Sequence, residues 1–162
     1  MMDLSTCVLS GMNAVLSVMT GDIVTEAKDE QVEAVTNIIC GKDTVCVLPT
    51  GYGKSMIFMC LPPLYHHVSQ HPEMKLKKTD RPLVLIISPL LSLMSAHVKE
   101  ATDLHLVAFQ LPTNSTVNLE SADLLFASPE YWTSKEGTTM LQAVSHRVIV
   151  AVTDEVHVAP KW

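Results

Sequence analysis

The stretch Val45-Cys46-Val47-Leu48-Pro49-Thr50-Gly51-Tyr52-Gly53-Lys54-Ser55 sets the fold. Its aliphatic start predicts a buried strand, which stops at Pro49, passes through two glycines and resumes at Met56 with helical spacing. Strand, glycine turn and helix in that order form a cradle for phosphate. Gly51 and Gly53 can take backbone angles closed to other residues, so main-chain N–H groups approach phosphate oxygens with no Cβ in the way. The start of the next helix adds free amides and the positive end of its dipole. Lys54 is then expected to reach the β- and γ-phosphates, and the Ser55 hydroxyl to ligate Mg²⁺. One position departs from the usual G-x-x-x-x-G-K-[ST] pattern, because Leu48 stands where its first glycine falls.

The rest of the chain fits an α/β frame around that cradle. Its 162 residues suffice for one domain with a sizeable core, and 48% hydrophobic with only 5% aromatic content suits an aliphatic α/β protein. The net charge of -6 gives no bulk attraction for nucleic acid. The one basic cluster, Lys75, Lys77, Lys78 and Arg81, reads as a solvated loop. Cys7, Cys40, Cys46 and Cys60 lack paired spacing, and two of them fall within apolar elements, which points to a reducing, intracellular compartment. The first basic residue is Lys28, so neither a signal peptide nor a transit peptide is expected at the N-terminus. The longest apolar run, Leu83 to Met94, is interrupted by Ser88, Pro89 and Ser92, and no membrane span or membrane partner is expected.

Upstream of the cradle, residues 1–25 read as an N-terminal extension. Val8, Met12, Val15, Leu16 and Met19 recur at roughly helical spacing, with Gly21 to end a short packing helix. Asp29 can cap a second helix with Val32, Val35, Ile38 and Ile39 on one face and Gly41 at its close. Gln31 lies on its first turn; a glutamine amide donates and accepts at once, as the edge of adenine requires, although a lone glutamine is more often a solvated surface residue.

Downstream, the helix from Lys54 through Ile57, Phe58 and Leu61 should be stopped by Pro62-Pro63. His67 and His71 are spaced to share a helix face, but no cysteine or carboxylate completes a metal set there. Leu83 to Ile87 reads as a strand buried on both faces, followed by Ser88-Pro89-Leu90-Leu91-Ser92-Leu93-Met94, where Pro89 can open a helix. Leu104 to Phe109 and Leu124 to Ala127 read as two more strands. The second ends in Ser128-Pro129-Glu130, a repeat of the strand, Ser-Pro, helix arrangement. Two such turns suggest two loops at the same end of one sheet, where ligands of open α/β sheets collect. Taken alone, Ser88 reads better as a helix N-cap than as a contact to phosphate. The last strand, Arg147 to Thr153, runs into Asp154-Glu155-Val156-His157. An acidic pair at the end of a buried strand calls for a partner, which Mg²⁺–nucleotide would supply. Asp154 is then expected to hold the metal, and Glu155 to orient and deprotonate the attacking water.

Gln31, Leu48–Ser55, Ser88–Met94, Ala127–Glu130 and Asp154–His157, in that order, make the chain similar to the first motor lobe of superfamily 2 helicases of DEAD/DEAH type. It most resembles the RecQ family of DNA helicases. The particular likenesses are the Pro-Thr-Gly-x-Gly-Lys-Ser cradle, the Ser-Pro-Leu-x-Ser-Leu-Met block, and Trp162 standing where the family's D-E-A-H-C-x-S-x-W segment has its tryptophan. The resemblance covers about residue 25 to the end. It implies a three-layer, RecA-like P-loop domain at 26–162 with a mostly parallel sheet, incomplete at its C-terminus, and a motor that unwinds duplex DNA 3′-to-5′ with ATP.

By position, the resemblance implies a nucleotide site of Lys28, Gln31, Pro49, Thr50, Gly51, Tyr52, Gly53, Lys54 and Ser55, with Ser55 and Asp154 on Mg²⁺. Lys54, Asp154, Glu155 and His157 would act in hydrolysis, His157 linking it to DNA. Ser88, Pro89, Ser128 and Trp162 would line the path of single-stranded or forked DNA. A nuclear location is what the family implies for a eukaryotic member, with DNA repair and recombination as its setting. The departures are Val156 for alanine, Val158 for cysteine, Ser95-Ala96-His97 for a more polar, glutamine-containing stretch, and Pro160 before Trp162. A second RecA-like lobe, with the arginines that complete the ATP site, is expected as a partner outside this sequence. Without it, the chain should bind nucleotide weakly and hydrolyse it slowly or not at all. An RNA helicase lobe of DEAD/DEAH-box type, or a non-catalytic nucleotide-binding or interaction module derived from a helicase, remain the alternatives.

Overall fold

The computed structural model describes residues 3–113 and 118–155, in two compact units, Met1–Asp80 and Arg81–Trp162. The regular elements described in the first unit are all helical: α1 (Leu4–Thr20), α2 (Asp29–Ile39), α3 (Lys54–Met59) and α4 (Leu61–Ser69), with a 3-10 turn at Pro72–Met74. The expected N-terminal packing helix is present as α1. Asp3 caps it by accepting the Thr6 N–H at 2.8 Å, and Gly21 closes it in the left-handed region with φ 59°. Its buried stripe is Cys7, Val8, Met12, Leu16 and Met19. Gly11 lets α1 lie tightly on α4, since a Cβ there would come within 2.7 Å of Leu64 Cδ1.

Two local expectations for this unit are corrected. Helix α2 is capped at Lys28 rather than Asp29; the Gln31 side-chain oxygen accepts the Lys28 N–H at 3.0 Å, closing the turn from the helix side. The helix that follows the cradle ends at Met59, short of the expected Leu61, and Pro62-Pro63 do not stop the chain from resuming as a second helix. They sit in the first turn of α4, where a proline's missing N–H costs nothing, and Leu64 N still donates to Cys60 O at 3.0 Å across the joint.

The largest correction concerns Val45–Leu48. The segment is not a strand; Val45 is 86% and Val47 89% exposed, and Cys46 is exposed rather than buried. A β-strand is defined by the ladder it joins, and the described elements of Met1–Asp80 include no other strand to supply one.

The second unit holds the sheet. Strands β1 (Leu83–Ile87), β2 (Ala108–Gln110), β3 (Leu124–Ala127) and β4 (Val148–Thr153) are all parallel in the order β2-β3-β1-β4. The linking helices are α5 (Leu91–Asp103), α6 (Pro129–Thr133) and α7 (Lys135–Val144). Strand alternation divides the core. Leu83, Leu85, Leu125 and Ala127 pack with Trp132 of α6 and Val144 of α7. The intervening Phe126 carries the His97 ring of α5, so helices cover both faces. Fully buried Leu83, Ile86, Leu124, Leu125 and Phe126 each contribute about 1.5–3 kcal/mol of apolar burial.

β1 is central and buried, as expected. β4 is an edge strand, with Ala151 and Thr153 exposed, and so less buried than its apolar sequence suggests. The strand expected at Leu104 to Phe109 is shorter and later, because α5 runs on to Asp103 and its cap at Leu104 consumes the first residues. Arg147, only 5% exposed, ties strand approaches together by donating to the carbonyls of Arg81 at 2.9 Å, Leu119 at 2.7 Å and Ala122.

Candidate nucleotide site

The cradle turn is a folded structure although its leading strand is not. Tyr52 N donates to Pro49 O at 3.2 Å, and Gly51 and Gly53 take φ of 78° and 83°, the left-handed angles for which glycine is suited. Gly53 is the N-terminal cap of α3, which begins at Lys54, and Thr50 and Lys54 lie at the surface. Nothing lies within 4 Å of where a Cβ on Gly51 would stand. The loop therefore presents backbone to open space.

Gln31 is the strut behind this turn. It is 5% exposed, and its amide nitrogen donates to Tyr52 O at 3.3 Å and Gly53 O at 3.1 Å. A Cβ on Gly53 would approach that nitrogen to 2.8 Å. Lys28 Nζ adds a bond to Tyr52 O at 3.2 Å and lies 4.0 Å above the Tyr52 ring. The Tyr52 hydroxyl donates to Glu30 at 2.5 Å, which holds the phenol above and the carboxylate below its ordinary pKa. Lys28, Gln31 and Pro49–Ser55 are thus one local assembly. Glu30 is an addition to it that sequence reasoning missed, since 22 positions separate it from Tyr52 and no spacing rule connects them.

In the second unit, parallel pairing brings the ends of the strands to one edge. Ser88 N donates to Ala127 O at 3.1 Å and Asp154 N to Ile87 O at 2.9 Å, so the two Ser-Pro turns and the acidic pair lie side by side. Ser88 is itself fully buried, and its hydroxyl does not face solvent; Pro89 precedes a helix that starts at Leu91 with Leu90 as its cap. Ser128 is the N-cap of α6, accepting the Tyr131 N–H at 3.2 Å.

Asp154 is held on both oxygens. Oδ1 accepts the Glu155 N–H at 3.0 Å, and Oδ2 faces His97 Nε2 at 3.4 Å. The second ring nitrogen of His97 lies 3.3 Å from Glu100. The bonds to Asp154 and then Glu100 outweigh burial and raise the imidazole pKa to about 9. Glu155 has a positive φ of 54°, an uncommon angle for a non-glycine residue. His157 and Trp162 lie outside the described residues.

His67 and His71 do share a contact, with ring centroids 5.7 Å apart, but no group of three or more metal-ligating side chains occurs among the described residues. No helix among them is long and apolar enough to cross a membrane.

Taken separately, the Ser55 hydroxyl of the first unit and the Asp154 carboxylate of the second each offer the hard oxygen that Mg²⁺ takes, and the open face at Gly51 has the room and free backbone that phosphate needs.

A glycine turn of this kind in the first unit and an acidic pair at the end of a parallel strand in the second are two marks of a helicase-type nucleotide-binding domain. Residues 28–162 match the DEAD/DEAH box helicase family, and the chain belongs to it. It is 27% identical over 143 residues to ATP-dependent helicase wrn-1 of Caenorhabditis elegans, a match covering 83% of this chain and 12% of that protein. It is 31% identical over 144 residues to ATP-dependent DNA helicase Q-like 5 of Arabidopsis thaliana, covering 83% and 14%. With the probable ATP-dependent DNA helicase RecS of Bacillus subtilis it shares 30% over 147 residues, covering 85% and 26%. The relatives are RecQ-type, as the motifs imply, and the chain spans 12% to 26% of their length.

Proposed function

We propose that this chain is the ATP-binding lobe of a RecQ-like 3′-to-5′ DNA helicase, binding Mg²⁺–ATP and contributing to the hold on single-stranded or forked DNA. The observation that carries the reading is the Gly51–Gly53 turn, with both glycines left-handed, open space before Gly51 and Gln31 bonded behind. In this reading Thr50, Gly51 and Gly53 offer backbone amides to the phosphates and Lys54 balances their charge. The family resemblance gives Gln31 and Lys28 to the adenine end, which Gln31 would reach only by giving up its bonds to the Tyr52 and Gly53 carbonyls. Mg²⁺, when bound, draws charge from the phosphate oxygens, with Ser55 and Asp154 as its holders. Glu155 orients water and takes its proton, His157 relays the event toward DNA, and Ser88, Pro89, Ser128 and Trp162 belong to the DNA path. The positions come from the family resemblance. The motor requires a second RecA-like lobe for arginine stabilisation of the transferring phosphoryl group. RecQ-type relatives support an intracellular, DNA-associated role; the nucleus, for a eukaryotic member, and repair and recombination are what the family resemblance implies.

The test is DNA-stimulated ATP hydrolysis by the chain joined to a second lobe, beside Glu155→Gln. Hydrolysis should fall by about 10²-fold or more in the variant, with nucleotide affinity kept within a few-fold. Hydrolysis at the unsubstituted rate would remove Glu155 from its role, and equal stimulation by RNA would turn the reading toward an RNA helicase.

A further inference from the structure

The Asp154 carboxylate meets a side chain that the motif reading does not use. His97 sits on α5, the helix that follows the Ser88-Pro89 turn, and its side chain is only 14% exposed. Three contacts fix the ring. It stacks on Phe126 of β3 with centroids 6.1 Å apart and planes 19° from parallel, it holds Glu100 at 3.3 Å through Nδ1, and it reaches Asp154 Oδ2 at 3.4 Å through Nε2. Asp154 Oδ2 is buried, while the side chain as a whole is 24% exposed, so the accessible part of the carboxylate lies away from His97. A ring packed on three sides cannot turn without breaking its stack, and the carboxylate it touches inherits that restraint.

We propose that His97 is a positioning residue for Asp154: from helix α5 it anchors the buried carboxylate oxygen and turns the other outward for the divalent cation. The inference rests on the Mg²⁺–nucleotide reading given above. Histidine–carboxylate contacts behind a metal ligand fix its direction, and their loss commonly weakens metal binding about 10–100-fold. The same contact links the Ser-Pro-Leu helix to the acidic pair, so a shift of α5 would be felt at the cation.

Mn²⁺ is the probe, counted by electron paramagnetic resonance with ADP present, in the unsubstituted chain, His97→Leu, His97→Gln and Asp154→Asn. Leucine keeps apolar contact with Phe126 and removes the donor; glutamine keeps an amide donor within reach of Asp154. His97→Leu should weaken Mn²⁺ binding about 10-fold while ADP affinity in EDTA stays within two-fold, and His97→Gln should regain most of the loss. Equal Mn²⁺ affinity in the unsubstituted chain and His97→Leu, with Asp154→Asn impaired, overturns the inference alone. Glutamine behaving like leucine also overturns it, since packing would then be the whole effect. Absence of ADP-dependent Mn²⁺ binding in the unsubstituted chain overturns the Mg²⁺–nucleotide reading and this inference with it.

Discussion

Gly53 is constrained twice, by a left-handed φ of 83° and by Gln31 Nε2 standing 2.8 Å from where a Cβ would be. Gly53→Ala should therefore displace Gln31 and distort the turn, at a backbone cost of about 1–3 kcal/mol. The expected result is a loss of roughly ten-fold or more in nucleotide affinity, read by titration. Gly21→Ala, with φ 59° and nothing within 4 Å, should cost stability without touching that affinity. The cysteines give a second test. Cys40 and Cys46 are exposed and Cys7 and Cys60 buried, so a thiol reagent should modify two groups in the native chain and four after denaturation. Protection of Cys46 would place the Val45–Leu48 run in a ladder after all. Burial pushes the Cys60 thiol up from 9.0 to about 12. Below pH 9 the thiol is neutral in both folded and unfolded chains and contributes no pH dependence. Between pH 9 and 12 only the unfolded chain releases the proton, so urea titrations should show stability falling as pH rises, by up to about 1.4 kcal/mol per unit from this group. Cys60→Ala should flatten that part of the profile.

At the scale of elements, the corner between α6 and α7 leaves no room for a side chain at Gly137. A Cβ on Gly137 would lie 1.9 Å from the Tyr131 carbonyl oxygen, a backbone atom that cannot step aside as a side chain can. Gly137→Ala should pry α7 from the Trp132–Val144 part of the core and destabilise the unit by about 1–3 kcal/mol or more, measured by thermal or urea unfolding. A neutral result would mean that α7 is not seated as described. What was legible in the sequence follows the same logic of local against distant causes. Leu83–Ile87 and Leu124–Ala127 are apolar on every position and flanked by turns, so both were readable as strands, the first as one buried on both faces. Helix α7 carries no such signal. Lys135-Glu136-Gly137-Thr138-Thr139 is polar, and the helix owes its start to the Ser134 hydroxyl accepting the Gly137 N–H at 3.0 Å. The Val45–Leu48 run has the composition of a strand, but composition cannot supply a neighbour. Within the candidate site, the cradle residues were legible because their spacing is local. The Glu30–Tyr52 and His97–Asp154 contacts were not, because only the fold brings those pairs together.

For the molecule as a whole, the net charge of -6 limits how it can meet DNA. Among the described residues, the strand-end loops of the second unit present Ser128 and apolar Leu90 and Leu91, with Ser88 buried, rather than a cluster of cations. Neutralising few phosphates releases few counterions, so any single-stranded DNA binding by this chain should show a log–log salt slope smaller in magnitude than about 2. A slope several times steeper would point to a basic surface elsewhere.

The cradle is the centre of the account, and equilibrium titration of a fluorescent ATP analogue with Mg²⁺, onto the chain and onto Lys54→Ala, tests it most directly. Saturable binding that weakens at least about ten-fold in Lys54→Ala is the result predicted. Absence of binding, or equal binding by both, would contradict it.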